Sequence, residues 1–216
     1  MKPLPTADLQ GQVAIVTGST QGLGTDIARQ LLRAGASVTL VGRNRDTGAA
    51  LAEALGERCR FAACDVERDD DIDACIAATL AAFGRLDILV NNACVYDDQG
   101  LLSDRAQWLK TLNVNLVSAA IFVQKAAPHM TGGGTVINIG STGGKFGAAG
   151  RALYPASKAG LLQLTRNLAV SLAPAAIRVI SVSPAWTWSP SVASLSGGDV
   201  AVADRIGATF HPLGRV

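Results

Sequence analysis

A tyrosine and a lysine four residues apart form the pair of this sequence best suited to acid–base chemistry. The stretch ALYPASKAG (152–160) holds Tyr154 and Lys158. On an α-helix this spacing places both side chains on one face. A phenol has a pKa near 10, so it serves as a base at neutral pH only where a cation such as the Lys158 ammonium stabilises the phenolate. Chance would give such a pair in roughly one shuffled sequence in twenty, so its context decides what it means.

Short aliphatic runs alternate with longer amphipathic segments along the chain. The runs predict strands at 13–17, 37–41, 60–64, 86–90, 135–139 and 177–183. Helical periodicity covers residues 22–34, 46–55, 69–83, 103–127 and 153–173. Near-continuous apolar strands separated by helices are typical of a parallel sheet buried on both faces. We therefore predict a single domain over residues 1–216 with a doubly wound, three-layer α/β/α sheet (Rossmann fold). Tyr154 then lies at the start of the last helix.

The first predicted strand leads into a glycine-rich turn, TGSTQGLG (17–24). Such a turn at a helix start lets backbone amides approach a pyrophosphate, and the helix dipole favours the negative charge. Gly18, Gly22 and Gly24 are the positions that matter. Their spacing is not that of the common G-x-G-x-x-G fingerprint, and no G-K-[ST] follows as in a P-loop. A tight strand-to-helix connection is the purely structural alternative.

Taken in order, the motifs resemble the short-chain dehydrogenase/reductase family. The glycine turn reads T-G-x-x-x-G-x-G, NNAC (91–94) is similar to the family's N-N-A-G, and SPAWTWSP (183–190) is similar to its P-G segment. Asn115, Ser141, Tyr154 and Lys158 match the family tetrad of Asn, Ser, Tyr and Lys. The resemblance extends from about Val13 to the end of the sequence.

The resemblance implies a role for each member of the tetrad. Tyr154 would be the general acid–base, Lys158 and an oxidised nicotinamide would lower its pKa, and Ser141 would hold the substrate oxygen. Asn115 would order a water that links Lys158 to solvent. The implied cofactor-binding residues are Gly18, Ser19, Gln21, Gly22, Leu23, Gly24, Arg43, Asp65, Val66, Asn92, Ala93, Tyr154, Lys158, Pro184, Ala185 and Ser189.

The end of the second predicted strand bears on the choice of cofactor. An Asp there would bind the ribose hydroxyls of NAD and repel an extra phosphate. The sequence instead reads VGRN, with Gly42 at the usual acidic position and Arg43 next to it. Arg43 suits the 2′-phosphate of NADP, although Gln21 stands where many NADP-preferring relatives have a second basic residue. We expect NADP(H) to be favoured, with NAD(H) as the alternative.

Three features depart from the family pattern. Cys94 and Ala185 replace usual glycines, and each adds a side chain near the expected cofactor path. The sequence ends at HPLGRV, where the family ordinarily continues into another helix and a seventh strand. We therefore expect a free edge at the sixth strand, which another chain could cover. The two long helices, 103–127 and 153–173, predict a homodimer or homotetramer.

Composition and charge indicate which partners the protein could bind and where in the cell we expect it. A formal charge of +2 with scattered basic residues argues against nucleic acid and anionic membranes. The four cysteines form no C-x-x-C pair and the two histidines complete no zinc set, so we expect no metal and reduced thiols in a cytoplasm. No apolar run approaches the roughly 18 residues of a membrane span, and we expect no targeting segment at the start.

The sequence therefore predicts an NAD(P)-dependent oxidoreductase, a short-chain alcohol dehydrogenase or carbonyl reductase. It would transfer a hydride between the cofactor and a ketone or secondary alcohol, with a substrate loop at about 189–210. Tyr96, Trp186 and Trp188 are candidate walls for an apolar substrate. A catalytically impaired dinucleotide-binding relative is the alternative, and an epimerase or dehydratase would need a larger C-terminal substrate domain.

Overall fold

A six-stranded parallel sheet runs through residues 8–216, which are the residues that this computed structural model describes. Its order is β3-β2-β1-β4-β5-β6, and every neighbouring pair is parallel. The strands are β1 Val13–Thr17, β2 Ser37–Gly42, β3 Cys59–Ala63, β4 Ile88–Asn91, β5 Gly134–Ile139 and β6 Ile177–Val182. Residues 1–7, where we expected no targeting segment, lie outside the described range.

Helices cover both faces of the sheet and give it three layers. They are α1 Gly22–Arg33, α2 Arg45–Leu55, α3 Asp69–Phe83, α4 Arg105–Leu112, α5 Ser118–Ala126, α6 Leu153–Leu172, α7 Pro190–Leu195 and α8 Val200–Gly207. Alternate residues of β1 enter different cores: Ile15 packs with Phe122 of α5, whereas Ala14 and Val16 pack with Ala28 of α1. The predicted doubly wound α/β fold is therefore confirmed. No helix in the described range is long and apolar enough to cross a membrane.

The segment predicted as one helix at 103–127 is divided. A π-helical stretch, Asn113–Val117, separates α4 from α5, and the Ser118 hydroxyl donates to the Val114 carbonyl, 2.6 Å away. A π turn accommodates one residue more than an α turn and often occurs at functional sites. Here it contains Asn115, whose side chain is bonded outside the helix.

The predicted substrate loop at 189–210 contains the two short helices α7 and α8. Each begins at a side-chain cap: Ser189 accepts from the Val192 N–H and Asp199 accepts from the Ala201 N–H. Pro190 occupies the first turn of α7, where its missing N–H costs nothing. These local signals are present in the sequence, and they explain why the segment is not an irregular loop.

The last strand, β6, lies at the edge of the sheet within residues 8–216. Ile180 and Val182 point to the same face and are 46% and 47% exposed.

Candidate active site

A cleft of about 800 Å³ opens at the carboxyl ends of the strands. Its lining includes Gly18 after β1, Asn92 after β4 and Ser141 after β5. β1 and β4 are neighbours at the point where the strand order reverses, which is where open α/β sheets bind ligands. The predicted catalytic and cofactor-binding residues therefore come together at one edge of the sheet, except Ser19 and Asn115, which are described below.

The glycine turn forms a bare backbone cradle between β1 and α1. Gly18 has φ +61°, and a Cβ added there would lie 2.8 Å from the Ala93 Cα. A Cβ at Gly24 would collide with the Gly18 carbonyl oxygen. The N-cap residue of α1, Gln21, makes no side-chain cap, so the first N–H groups of this helix are not satisfied by it. This turn fits the pyrophosphate of a dinucleotide.

A set of short hydrogen bonds fixes this turn to the end of β4. The Thr17 hydroxyl accepts from the backbone N–H groups of Asn92 and Ala93 at 2.9 and 3.0 Å. The Asn92 amide donates to the carbonyls of Thr17 and Gly18 at 2.9 and 3.0 Å. Ser19, unlike the other predicted residues of this turn, points into the protein. Its buried hydroxyl donates to the Val16 carbonyl and accepts from the Val41 N–H. It joins β1 to β2 and does not line the cleft.

The end of β2 presents a cation, and its last residue, Gly42, carries no side chain. A Cβ added at Gly42 would lie 2.8 Å from the Thr20 Cγ2. Arg43 is exposed, lines the cleft and has no hydrogen-bond or ion-pair partner in the described part of the chain. Asp65 and Val66, which follow β3, line the same end.

The first turns of α6 bring Tyr154 and Lys158 together, as their spacing predicts. The Lys158 Nζ lies 5.7 Å from the centre of the Tyr154 ring. Lys158 is only 2% exposed, and its Nζ donates to the Ile139 carbonyl at the end of β5, 2.7 Å away. Burial lowers the pKa of this ammonium.

The Tyr154 phenol is half-buried, and burial raises its pKa above the ordinary value. A hydrogen bond with Ser141 and the charge of Arg151 oppose this effect, while Cys94 adds to it. The sequence predicts that Lys158 lowers this pKa, but in the structure burial has the larger effect and the ammonium is bonded to the Ile139 carbonyl. The protein residues alone therefore keep the phenol protonated at neutral pH.

Asn115 is the second predicted residue that does not line the cleft. It is 2% exposed, and its side chain accepts from the Val95 N–H and donates to the Val95 carbonyl and the Ser157 hydroxyl. The Ser157 hydroxyl in turn donates to the Tyr154 carbonyl, 2.7 Å away. The Asn115 side chain thus ties the segment after β4 to the first turn of α6. Its suggested part in a water relay stays a prediction.

Asp98 supports the start of α6, and the sequence alone does not indicate this role. Its side chain is fully buried and accepts from the N–H groups of Gly100, Ala152 and Tyr154 at 2.9 to 3.1 Å. Burial alone would raise its pKa, but these backbone N–H groups hold the pKa below its ordinary value. Asp98 therefore caps α6 from a distance of 54 residues along the chain. No local pattern could reveal a cap so remote from its helix.

Aromatic side chains surround the Tyr154 end of the cleft. Tyr96 stacks on Tyr154 with ring centres 5.1 Å apart, and Trp186 meets the edge of Phe210 at 5.2 Å. Trp188, in contrast, is 39% exposed and does not line the cleft. Cys94 and Ala185 both line the cleft, so these two departures from the family pattern do place side chains there.

Within residues 8–216 no cluster of three His, Cys, Asp or Glu side chains could hold a metal ion.

Comparison with known proteins identifies similar chains. The sequence model described as short chain dehydrogenase matches residues 12–198. The cis-4-hydroxycyclohexanecarboxylate dehydrogenase of Sinomonas cyclohexanicum is 34% identical over 95% of this chain and 83% of its own. The L-fucose dehydrogenase of Oryctolagus cuniculus is 35% identical over 95% and 74%, respectively. The 3-oxoacyl-[acyl-carrier-protein] reductase of Chlamydia pneumoniae is 34% identical over 82% and 73%.

Replacing the remote cap tests how the start of α6 is held. We expect Asp98→Ala to lower the free energy of unfolding by about 1–2 kcal/mol at neutral pH, measured by urea denaturation. Because the folded-state pKa of Asp98 lies below its ordinary value, the stabilisation is complete above about pH 4. It should disappear as the pH falls through the lower folded-state value. Asp97→Ala, an exposed neighbour, is the control, and equal losses in both variants would contradict the capping role.

Proposed function

The chain belongs to the short-chain dehydrogenase family, and we therefore propose that it interconverts a ketone and a secondary alcohol. Membership makes it an oxidoreductase with a nicotinamide cofactor and a small-molecule substrate. The observation that carries the finer proposal is the convergence of Tyr154, Lys158 and Ser141 at one end of a cleft whose other end is a bare glycine cradle. The relatives named above are named for a hydroxycyclohexanecarboxylate, a sugar and a 3-oxoacyl group, which all contain a hydroxyl or a ketone.

Different parts of the cleft would hold different parts of the cofactor. We assign the pyrophosphate to the turn from Gly18 to Gly24, the adenosine to Arg43, Asp65 and Val66, and the nicotinamide to Asn92, Ala93 and the segment from Pro184 to Ser189. When bound, an oxidised nicotinamide would supply a hydride acceptor and a positive charge. Ser19 contributes indirectly, because its hydroxyl fixes the distance between β1 and β2.

Proton transfer is assigned to Tyr154. During reduction its Oη gives a proton to the carbonyl oxygen while the carbon receives a hydride, which produces the alcohol. During oxidation the phenolate takes that proton back. Ser141, whose Oγ accepts from the Gly143 N–H, keeps its own O–H to donate to the same substrate oxygen. The buried Lys158 ammonium stabilises the phenolate at the moment it forms, at a ring distance of 5.7 Å.

The preference for NADP(H) rests on the end of β2. Position 42 is a glycine and has no acidic side chain, and the neighbouring Arg43 guanidinium is exposed without a protein partner in residues 8–216. A free guanidinium binds a phosphate through paired N–H donors. Because position 42 is not an Asp, no carboxylate at that position repels the 2′-phosphate.

Removing the phenol oxygen tests the proton-transfer assignment. Because general acid–base catalysis contributes typically ~10²–10⁴-fold, we expect Tyr154→Phe to reduce turnover at least about a hundredfold. Turnover is followed by nicotinamide absorbance over a panel of ketones and alcohols, and cofactor affinity by fluorescence titration. The affinity for the reduced cofactor should stay near that of the parent, since only the hydroxyl is lost, whereas Lys158→Ala should damage both.

Tyr96→Phe is the matched variant, because it removes a hydroxyl from the ring stacked on Tyr154. It should lose far less activity than Tyr154→Phe. Similar losses in both variants, or a Tyr154→Phe variant with more than about a hundredth of the parent rate, would overturn the assignment.

The cofactor preference is tested by titrating NADPH and NADH separately. We expect NADPH to bind more tightly to the parent, and Arg43→Ala to weaken NADPH by about tenfold to a hundredfold with little change for NADH. Arg45→Ala is the control, since Arg45 is a neighbouring exposed cation that does not line the cleft. Equal affinities in the parent, or equal effects of the two substitutions, would exclude this role for Arg43.

A further inference from the structure

A second cation lies against Tyr154, on the open side of the cleft. The Arg151 guanidinium carbon is 5.5 Å from the centre of the Tyr154 ring, and its side chain is 40% exposed. Arg151 also lines the cleft. In contrast to Lys158, which is buried, Arg151 is therefore accessible to a bound molecule.

The ion pair of Arg151 leaves most of its donors free. Its Nε lies 3.5 Å from the Asp98 Oδ2, longer than the ~2.7–2.9 Å of a charge-assisted hydrogen bond. The Asp98 carboxylate is already satisfied by the N–H groups of Gly100, Ala152 and Tyr154. The two terminal nitrogens of Arg151 have no protein partner anywhere in residues 8–216. Asp98 thus positions the guanidinium through Nε and leaves the terminal nitrogens for a ligand.

No carboxylate lines the Tyr154 end of the cleft within the described residues. The acidic side chains of the lining, Asp65 and Glu67, both follow β3 at the adenosine end. The cleft lining also includes the aromatic side chains of Tyr96, Phe146 and Trp186, and Tyr96 stacks on Tyr154. Beside the proposed proton donor, the cleft therefore combines aromatic side chains with the accessible Arg151 guanidinium.

We propose that Arg151 binds a carboxylate of the substrate, so that the preferred substrates are oxo acids and the corresponding hydroxy acids. This inference rests on the proposed function, since it assigns the second anchor of the molecule whose carbonyl oxygen contacts Tyr154 and Ser141. A guanidinium matches the plane and the two oxygens of a carboxylate. A single cation suits a monoanion better than a phosphate, for which proteins assemble several cations or backbone N–H groups. Asp98 is a positioning residue for this contact.

The test compares each charged substrate with its neutral counterpart. Oxo acids with two, three or four methylenes between ketone and carboxylate are each paired with their methyl ester. For the best acid we expect kcat/KM to exceed that of its ester by about tenfold or more, mainly through KM. Arg151→Met and Arg151→Gln should remove this ratio, and Arg151→Lys should retain part of it. Lys145→Met, which removes a nearby exposed cation that does not line the cleft, should leave the ratio unchanged.

The ratio within a pair isolates substrate binding from proton transfer. Arg151 also lowers the Tyr154 pKa, so its removal changes the rate for acid and ester alike. That common effect cancels in the ratio. A parent that reduces esters as efficiently as acids, or a ratio that survives in Arg151→Met and Arg151→Gln, would overturn the carboxylate site while the oxidoreductase function stands.

A binding measurement separates this proposal from the proposed function. Hexanoate and hexanamide have no ketone to reduce, so their affinities can be measured by calorimetry without turnover. We expect the parent with bound cofactor to prefer hexanoate by about tenfold or more, and Arg151→Met to lose that preference. This preference in a protein that turns over no ketone or alcohol would refute the proposed function and support the anion site. Equal binding of the two probes by the parent would refute the site.

Discussion

The Lys158 ammonium is buried, and the cost of burying a charge constrains the whole catalytic end of the molecule. Its Nζ donates to the Ile139 carbonyl, which is free because β5 ends there. This contact sets where α6 meets the sheet. A second buried hydrogen bond holds the same helix. It runs from the amide of Asn138, the β5 residue before Ile139, to the Thr165 hydroxyl of α6. With α6 fixed in this way, Tyr154 lies one turn before Lys158 and faces the cleft.

The segment after β4 connects the cofactor turn to the proposed catalytic helix. At its start, Asn92 is bonded to the carbonyls of Thr17 and Gly18. At its end, Asp98 caps α6 and pairs with Arg151. Between them Val95 is bonded on both backbone atoms to the side chain of Asn115, which lies in the π turn. The glycine turn and the first turn of α6 are therefore held by the same short segment.

The sequence predicts the parts of this structure that depend on local patterns. Apolar runs locate all six strands to within two residues, and α3 has the predicted bounds because acidic residues begin it and Gly84 ends it. The π turn within 103–127 and the capped helices within 189–210 were not predicted. The Asp98 cap and the free donors of Arg151 could not be, because both depend on contacts between distant segments. Burial likewise determines the Tyr154 pKa, and no spacing between residues encodes it.

Proton transfer by Tyr154 in the presence of a positively charged nicotinamide is tested most directly by the pH dependence of cofactor binding. Because burial raises the Tyr154 pKa, the phenol is protonated before binding. A cation bound beside it favours the phenolate, so binding releases a proton and becomes tighter as the pH rises. We predict that the affinity of the parent for the oxidised cofactor increases between about pH 7 and pH 10, and that Tyr154→Phe abolishes most of this increase. The same pH dependence in both proteins would contradict the proposed role of the phenol.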